Sequence, residues 1–332
     1  MLNSMPRAVA LLLFASLVFA CRTPTTFPRN QSFIPSYAAV PSKLRTPEQL
    51  NTMKNQFTTS IQQQEAALPA TIGFAYRDLT QPEQTLSHNG DRLFHAASTM
   101  KIPVMIEVFR QAEQGKFSVT DEVPFKNTFS SIVDGSPYEV KLEENVKIQV
   151  GEKVTILRLV EEMMIYSDNV CTNMLIELTG AENITATMRE LGAKDGVVLR
   201  GVEDTKAFEK GLSNRITAND LVELLTAIHQ GRAGNRQSTV EMVRILLAQH
   251  YMDMIPKLLP KSVAVGHKTG SITGHRHDAA IVYAQPSPYV VVYLTEGLKD
   301  PEKGKEAVAE LSLEVFNAHQ ASTVAETTAV AP

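Results

Sequence analysis

Apolar residues in this chain follow two different periods, and the order of those periods limits the fold more than any other feature. They alternate in strand fashion at 70–78 and 84–88, then repeat at helical spacing through most of the stretch from 98 to 250. They alternate again at 263–267, 278–284 and 289–295. A chain that leaves a sheet and returns to it predicts one antiparallel sheet built from both ends, with an all-helical insert of about 96–250. The fold class is therefore α+β, helices flanking the sheet, and a cleft between sheet and insert is a natural place for a site.

Local signals agree with this outline. Thr46-Pro47-Glu48-Gln49 supplies a cap, a proline suited to the first helical position and the glutamine of a capping box, so a helix opens there and runs to about residue 65. Pro103 is expected to disturb the second turn of a helix that starts near Ser98 and stops at Gly115. Thr155 and Thr217 cap further helices, Gly180, Gly192 and Gly231 close others, and 239–250 and 302–319 read as the last two. The segment 117–151 reads as an irregular excursion with short extended pieces. Residues 199–214 have no period, and a loop of that length inside a compact domain is usually functional.

The first 20 residues are not part of this fold. Arg7 precedes an apolar run from Ala8 to Ala20 that is too short to span a bilayer, which is the pattern of a secretory signal. The run ends Val18-Phe19-Ala20-Cys21, which resembles the cleavage box of bacterial lipoproteins, although Phe19 is bulky for it. That resemblance implies a lipidated Cys21, an exported protein in the periplasm or at the cell surface, and membrane contact only through the anchor. Residues 21–45, rich in Thr, Pro, Ser and Asn, read as a flexible tether. The catalytic domain is expected at 46–320 and a disordered tail at 321–332. Cys171 is the only other cysteine, so no internal disulfide is available, and its apolar helical neighbours mark it as a core thiol. A net charge of -4 without a basic block argues against nucleic acid as a partner.

Chemistry is concentrated in four polar clusters. Ser98 and Lys101 lie three apart at a helix start, where a hydroxyl sits among free N–H groups and an amine kept neutral could take its proton. Ser167-Asp168-Asn169 falls between two helical patterns, Glu203 lies in the aperiodic loop, and Lys268-Thr269-Gly270-Ser271 ends the strand at 263–267. Singly, each has an ordinary explanation: a helix cap, a solvated carboxylate, an edge strand running into a turn. Together and in this order they resemble the serine penicillin-recognising family, and more closely the class A β-lactamases, over roughly residues 46–319.

The resemblance implies a role for each residue. Ser98 is the acylated nucleophile and Lys101 its base, helped by a second cation, Lys268, that lowers the Lys101 pKa. Ser167 relays a proton to the leaving lactam nitrogen, and Asn169 holds the substrate's side-chain amide. Lys268 and Thr269 bind the carboxylate, Gly270 admits the substrate to the strand, and the N–H groups of Ser98 and Ser271 form the oxyanion hole. Glu203 activates the water that releases the acyl group. The substrate is a small-molecule β-lactam; no cofactor and no metal are called for, and a monomer is expected.

The chain departs from the class A pattern in several places. Ala207 stands where an asparagine usually helps hold the water, and Gly201 replaces an arginine whose salt bridge commonly braces the loop. The loop is about two residues short before Thr217, the excursion after Ser98 is long, and no aromatic obviously takes the cleft wall ahead of Ser167. Arg276 is the candidate for a second carboxylate contact. His275 and His277, with no matching cluster elsewhere, read as surface or core residues rather than metal ligands. The alternative activity is that of a D-alanyl-D-alanine carboxypeptidase or related penicillin-binding hydrolase, which Glu203 opposes and Ala207 and Gly201 favour. A penicillin-binding sensor domain is disfavoured because no spanning helix follows the signal. An esterase on the same scaffold stays open.

Overall fold

A computed structural model describes residues 45–83, 85–143, 147–285 and 287–324. The signal, nearly all of the tether and Cys21 lie outside the described residues, as does the tail beyond 324. In chain order the elements are α1 (Pro47–Ala67), β1 (Thr71–Asp78), β2 (Thr85–His88), β3 (Phe94–His95), a 3₁₀ turn (Ala97–Met100) and α2 (Lys101–Glu113). The excursion follows with β4 (Glu122–Pro124), β5 (Thr128–Ser130), β6 (Pro137–Glu139) and β7 (Lys153–Thr155). Then come α3 (Ile156–Ile165), α4 (Asn169–Thr179), α5 (Ala181–Glu190), α6 (Thr205–Glu209), β8 (Arg215–Ile216), α7 (Ala218–His229) and α8 (Arg236–Leu247). The chain closes with β9 (Ala264–Ile272), β10 (His275–Tyr283), β11 (Tyr289–Glu296) and α9 (Pro301–Val324), four residues past the expected domain end.

The main sheet has the order β2-β1-β11-β10-β9 and is antiparallel throughout, so the two chain ends meet at the β1–β11 seam, where Thr71 pairs with Glu296. One face carries Phe74, Tyr76, Tyr289 and Tyr293 against Phe57 and Ile61 of α1 and Leu311 and Val315 of α9. Phe57 sets its ring edge-on to Phe74 at 5.7 Å and to Tyr76 at 6.0 Å. Truncating such a ring costs about 3–5 kcal/mol. Across the sheet, α7 lies against β1, β10 and β11, and α2 is buried nearly all round, with Ile102, Val104, Met105, Ile106 and Val108 inaccessible to solvent. A helix apolar on every side belongs at the centre of a bundle, and α2 packs on α3, α4, α5 and α8.

Several boundaries differ from the sequence reading for identifiable reasons. The α-helix starts at Lys101, so Pro103 falls in its first turn, where its missing N–H has no helical partner; the irregularity is the 3₁₀ turn before it. Helix α8 starts at Arg236 because Asn235 Oδ1 accepts from the N–H groups of Gln237 and Ser238. Strand β9 does not stop before Lys268 but continues through Lys-Thr-Gly to Ile272 and turns directly into β10, which begins three residues early. The insert is not all helical: the ribbons β3–β8, β4–β7 and β5–β6 decorate it.

At the seam a closed polar cluster ties Arg45, β1, β11 and α9 together. Arg45 pairs with Asp78, whose other oxygen accepts from Thr80 N–H and Oγ1 at 2.8 and 2.7 Å. Tyr76 Oη and Arg45 Nη2 donate to His319 Nδ1 at 2.8 and 3.0 Å, and His319 Nε2 donates to the Ser287 carbonyl at 2.9 Å. Ser287 Oγ donates to Asp78 at 3.2 Å. Arg45, Asp78, Tyr76, Ser287 and His319 are all buried.

Candidate active site

Ser98 sits in the 3₁₀ turn directly after Ala97, whose φ is 44°. Five non-glycine residues among those described have positive φ, and three of them, Ala97, Ser167 (64°) and Glu203 (63°), meet at this site. Each such conformation costs of order 1–3 kcal/mol and persists only where its surroundings enforce it.

Lys101, the first residue of α2, is fully buried. Its Nζ donates to the Ser167 carbonyl, to Ser167 Oγ at 3.2 Å and to Asn169 Oδ1 at 2.9 Å, the full complement of an ammonium. Burial pulls its pKa down to about 8 against the raising effects of Asp168, Cys171 and Glu203. Roughly a tenth of the amine is therefore neutral at pH 7.

Lys268 enters from the other wall on β9 and is also fully buried. Its Nζ donates to Ser167 Oγ at 3.0 Å and to the Thr269 carbonyl at 2.8 Å. Burial, and then the charge of Lys101, push its pKa well below the ordinary lysine value, with Asp278 opposing. Burial holds both amines below the ordinary lysine value, with repulsion between the two charges adding to it. Ser167 Oγ accepts from both amines. A hydroxyl has two acceptor positions and one donor, so the Ser167 proton is left to point elsewhere.

Asn169 links the amines to the long loop. Its Oδ1 accepts from Lys101 while its Nδ2 donates to Glu203 Oε1 at 2.8 Å, which fixes the amide's orientation. Ser98, Asn169, Glu203 and Ser271 line one cavity of about 720 Å³. Gly270 is needed at its place: a Cβ there would stand 3.2 Å from the backbone nitrogens of Ser98 and Thr99. Because β9 is the outer strand of the sheet, alternate backbone groups along it have no strand partner and are open to the cleft side.

The missing salt bridge of the loop is replaced by amide contacts. Asn173 Oδ1 accepts from Val202 N–H at 2.6 Å and its Nδ2 donates to the Val202 carbonyl at 3.0 Å, and a Cβ on Gly201 would strike that amide at 2.6 Å. Asn214 closes the far end, accepting from the N–H groups of Leu199 and Arg200 and donating to the Arg200 carbonyl at 2.9 Å. Asp204 caps α6 through Ala207 N–H at 3.1 Å and accepts from Ser131 Oγ at 2.9 Å and Ile132 N–H at 3.0 Å. Ala207 is fully buried.

Arg276 is not brought to the cleft. Its guanidinium donates to the carbonyls of Ile272 and His275 at 3.0 and 2.7 Å, and the arginines that line the cavity are Arg200 and Arg215. His277 is buried with both ring nitrogens committed to backbone, Nε2 donating to the His95 carbonyl and Nδ1 accepting from Thr295 N–H. His275 lines the cavity, its Nδ1 donating to the Thr273 carbonyl at 2.9 Å. Among the described residues no group of three or more histidine, cysteine or carboxylate side chains is placed to hold a metal. The loop braces escape the sequence reading, although Asn173, four residues after Asn169, shares its helix face and carries a usable signal. Arg215 and His95 carry none, since they meet through the β3–β8 pairing, and Arg200 joins them in the cavity lining from the long loop.

The sequence matches the family described as "Beta-lactamase enzyme family" over residues 54–319. It is 31% identical to a beta-lactamase of Rhodobacter capsulatus over 129 residues, which is 39% of this chain and 41% of that protein's length. It is 25% identical to beta-lactamase ROB-1 of Haemophilus influenzae over 299 residues, covering 86% of this chain and 92% of that one. The crystal structure of a beta-lactamase from Sphaerobacter thermophilus superposes with a TM-score of 0.69 at 26% identity, over 80% of this chain and 97% of the other.

Proposed function

The chain belongs to the beta-lactamase enzyme family as a class A-like serine hydrolase, and from that premise we propose how it turns β-lactams over. Neutral Lys101 takes the proton of Ser98 as its Oγ attacks the lactam carbonyl. The N–H groups of Ser98 and Ser271 receive the oxyanion. Lys101 passes the proton through Ser167 Oγ, 3.2 Å away, to the departing nitrogen, so the ring opens with charge conserved. Lys268 keeps the relay hydroxyl oriented and, with Thr269, offers a positive locus for the substrate carboxylate.

Release of the acyl group is the step that separates hydrolysis from inactivation, and Glu203 carries this reading. Its carboxylate faces the same cavity as Ser98 and is fixed by Asn169 at 2.8 Å, where it can take a proton from water attacking the ester. Glu203→Gln preserves size and removes the base. Acylation should survive in part while deacylation falls by about 10²–10⁴-fold. One equivalent of product followed by a stall, with the acyl-enzyme visible by mass spectrometry, is the expected result. Undiminished turnover would move the base elsewhere.

The buried methyl of Ala207 offers no polar group to that water, which favours the second reading, a penicillin-binding peptidase that deacylates slowly on lactams. A wild type that itself stalls after one equivalent would select it. Anchoring through a lipidated Cys21, export and a monomeric state complete the proposal. A processed N-terminus without lipid, in the soluble fraction, would remove the anchor. No helix among the described residues is long and apolar enough to cross a membrane.

A further inference from the structure

As a relay, residue 167 needs a hydroxyl, yet its backbone stands where a chain usually places glycine. Helix α3 ends at Ile165, Tyr166 follows as its cap, and Ser167 comes next with φ of 64°. A left-handed residue just past a helix end is usually glycine, because a Cβ crowds the backbone in that conformation. The hydroxyl must also be aimed. Ser167 Oγ accepts from Lys101 at 3.2 Å and from Lys268 at 3.0 Å, amines that reach it from opposite walls. Lys101 holds the Ser167 carbonyl as well. That leaves the chain leading into Ser167 to be fixed.

Its hold comes from about 85 residues further along the chain. The last carbonyls of a helix have no partner inside it. At the end of α3 three consecutive carbonyls are taken, one each, by three consecutive residues shortly after α8. Gln249 Nε2 donates to the Met164 carbonyl at 2.8 Å, His250 N–H to the Ile165 carbonyl at 3.2 Å, and Tyr251 Oη to the Tyr166 carbonyl at 3.3 Å. The ring of His250 lies 5.4 Å from that of Tyr166 and 5.1 Å from that of Tyr251.

Gln249 is the buried member of the three, 5% exposed. Its Oε1 accepts from Tyr251 N–H at 3.2 Å while its Nε2 serves Met164, so one amide ties the end of α3 to the segment that holds it. The same connection runs on into β9, which carries Lys268. One stretch of chain therefore supplies both the support under Ser167 and the second amine on its hydroxyl. Gln249 itself does not line the cavity and reaches Ser167 only through backbone.

We propose that Gln249 is the positioning residue of the proton relay: through the Met164 carbonyl it fixes the end of α3, so that Ser167 keeps its left-handed conformation and its Oγ stays between the two amines. The proposal rests on the β-lactam-hydrolase reading, in which Ser167 Oγ gives its proton to the departing nitrogen and regains one from Lys101. Acylation uses that transfer. Release of the acyl group runs through water and Glu203, which belongs to the long loop and is held by Asn169. Gln249 thus governs one half of the cycle and spares the other.

The test times acylation and deacylation by benzylpenicillin separately, by quenched-flow mass spectrometry, in wild type, Gln249→Met, Tyr251→Phe and Ser167→Gly. Gln249→Met keeps the volume and removes the amide. Acylation should fall about tenfold, since misplacing a reacting group by about 1 Å can cost about 10²-fold, while deacylation stays within about twofold of wild type. In a Ser167→Gly background the left-handed conformation is free of strain and no relay hydroxyl is left to aim. There Gln249→Met should leave the residual acylation rate unaltered, a strong non-additivity. Tyr251→Phe removes only the hydroxyl on the Tyr166 carbonyl and should show the same one-sided loss at about threefold; it decides the matter if Gln249→Met does not fold. Unchanged acylation, equal loss of both steps, or a loss that persists in the Ser167→Gly background overturns the positioning role alone. A Ser167→Gly enzyme acylated as fast as wild type overturns the relay and the proposal with it. A wild type that is never acylated overturns the functional reading itself.

Discussion

Two buried polar clusters meet opposite fates in this domain, although each holds a serine among ionisable groups. Around Ser287, one cation meets one anion, Arg45 with Asp78, and the histidine between them spends both ring nitrogens on fixed partners. Around Ser167, two lysines meet one hydroxyl, and the nearest carboxylates act on them through space or through an amide. The first cluster even contains serine, histidine and aspartate in mutual reach, yet its serine is inaccessible and its charges cancel. The second is imbalanced and strained, with Ser167 and Glu203 at φ of 64° and 63°. Residue types alone therefore do not mark a site. Uncompensated charge, backbone held where it would not rest, and an opening to solvent do.

Ser98→Ala sharpens the contrast most. It should abolish covalent labelling by any β-lactam while leaving the unfolding midpoint close to that of the wild type; a persisting one-acyl mass shift would mean that another nucleophile exists. Asp78→Asn should do the reverse. It leaves Arg45 buried without its partner, at about 3–5 kcal/mol in unfolding free energy. The folded fraction should keep its kcat/KM, and loss of activity ahead of stability would break the division drawn between the clusters.

A smaller effect concerns Lys101. Its base form grows as pH rises toward about 8. The rate of acylation in single turnover should climb about tenfold per unit below that value and level off above it. A profile flat from about pH 6 to 9 would shift proton abstraction from Ser98 to another group. The smallest effect is Asn173→Ala, which removes the amide bracing Val202 and the turn that sets Glu203. Deacylation should slow about three- to tenfold with acylation less affected. Equal loss of both steps would make Asn173 a general packing residue.

The parts of this design visible in sequence are those written in local chemistry. Thr46, Thr155 and Thr217 cap the helices that their spacing predicts, and the strands at both ends join one sheet as their alternation implies. Ser98, Lys101, Ser167, Asn169 and Lys268 announce themselves by motif; hydrogen bonds join the last four, and Ser98 lines one cavity with Asn169. The hidden parts depend on pairing at a distance. Strand β9 reads as finished at His267 because Lys268 breaks the apolar alternation, but that lysine is buried with partners from the insert. Arg276 spends its guanidinium on the carbonyls of Ile272 and His275, while Arg215, paired with His95, lines the cleft. Gly201 reads as a lost salt bridge until Asn173 is seen filling its space.

The seam where Thr71 pairs with Glu296 also sets a timetable. During synthesis the edge of β1 that faces β11 stays open until nearly the whole chain has emerged, and Lys268 cannot reach Ser167 before β9 has been placed on a sheet that β10 and β11 complete. Contacts so far apart in sequence form late and slowly. The enzyme is consequently assembled at the finish rather than piecemeal: a ribosome-bound or C-terminally truncated chain holds its nucleophile helix without the wall that completes it. A nascent chain that cannot yet close its sheet is also a chain that can still be threaded through a narrow passage, and its activity begins only when the last strand arrives.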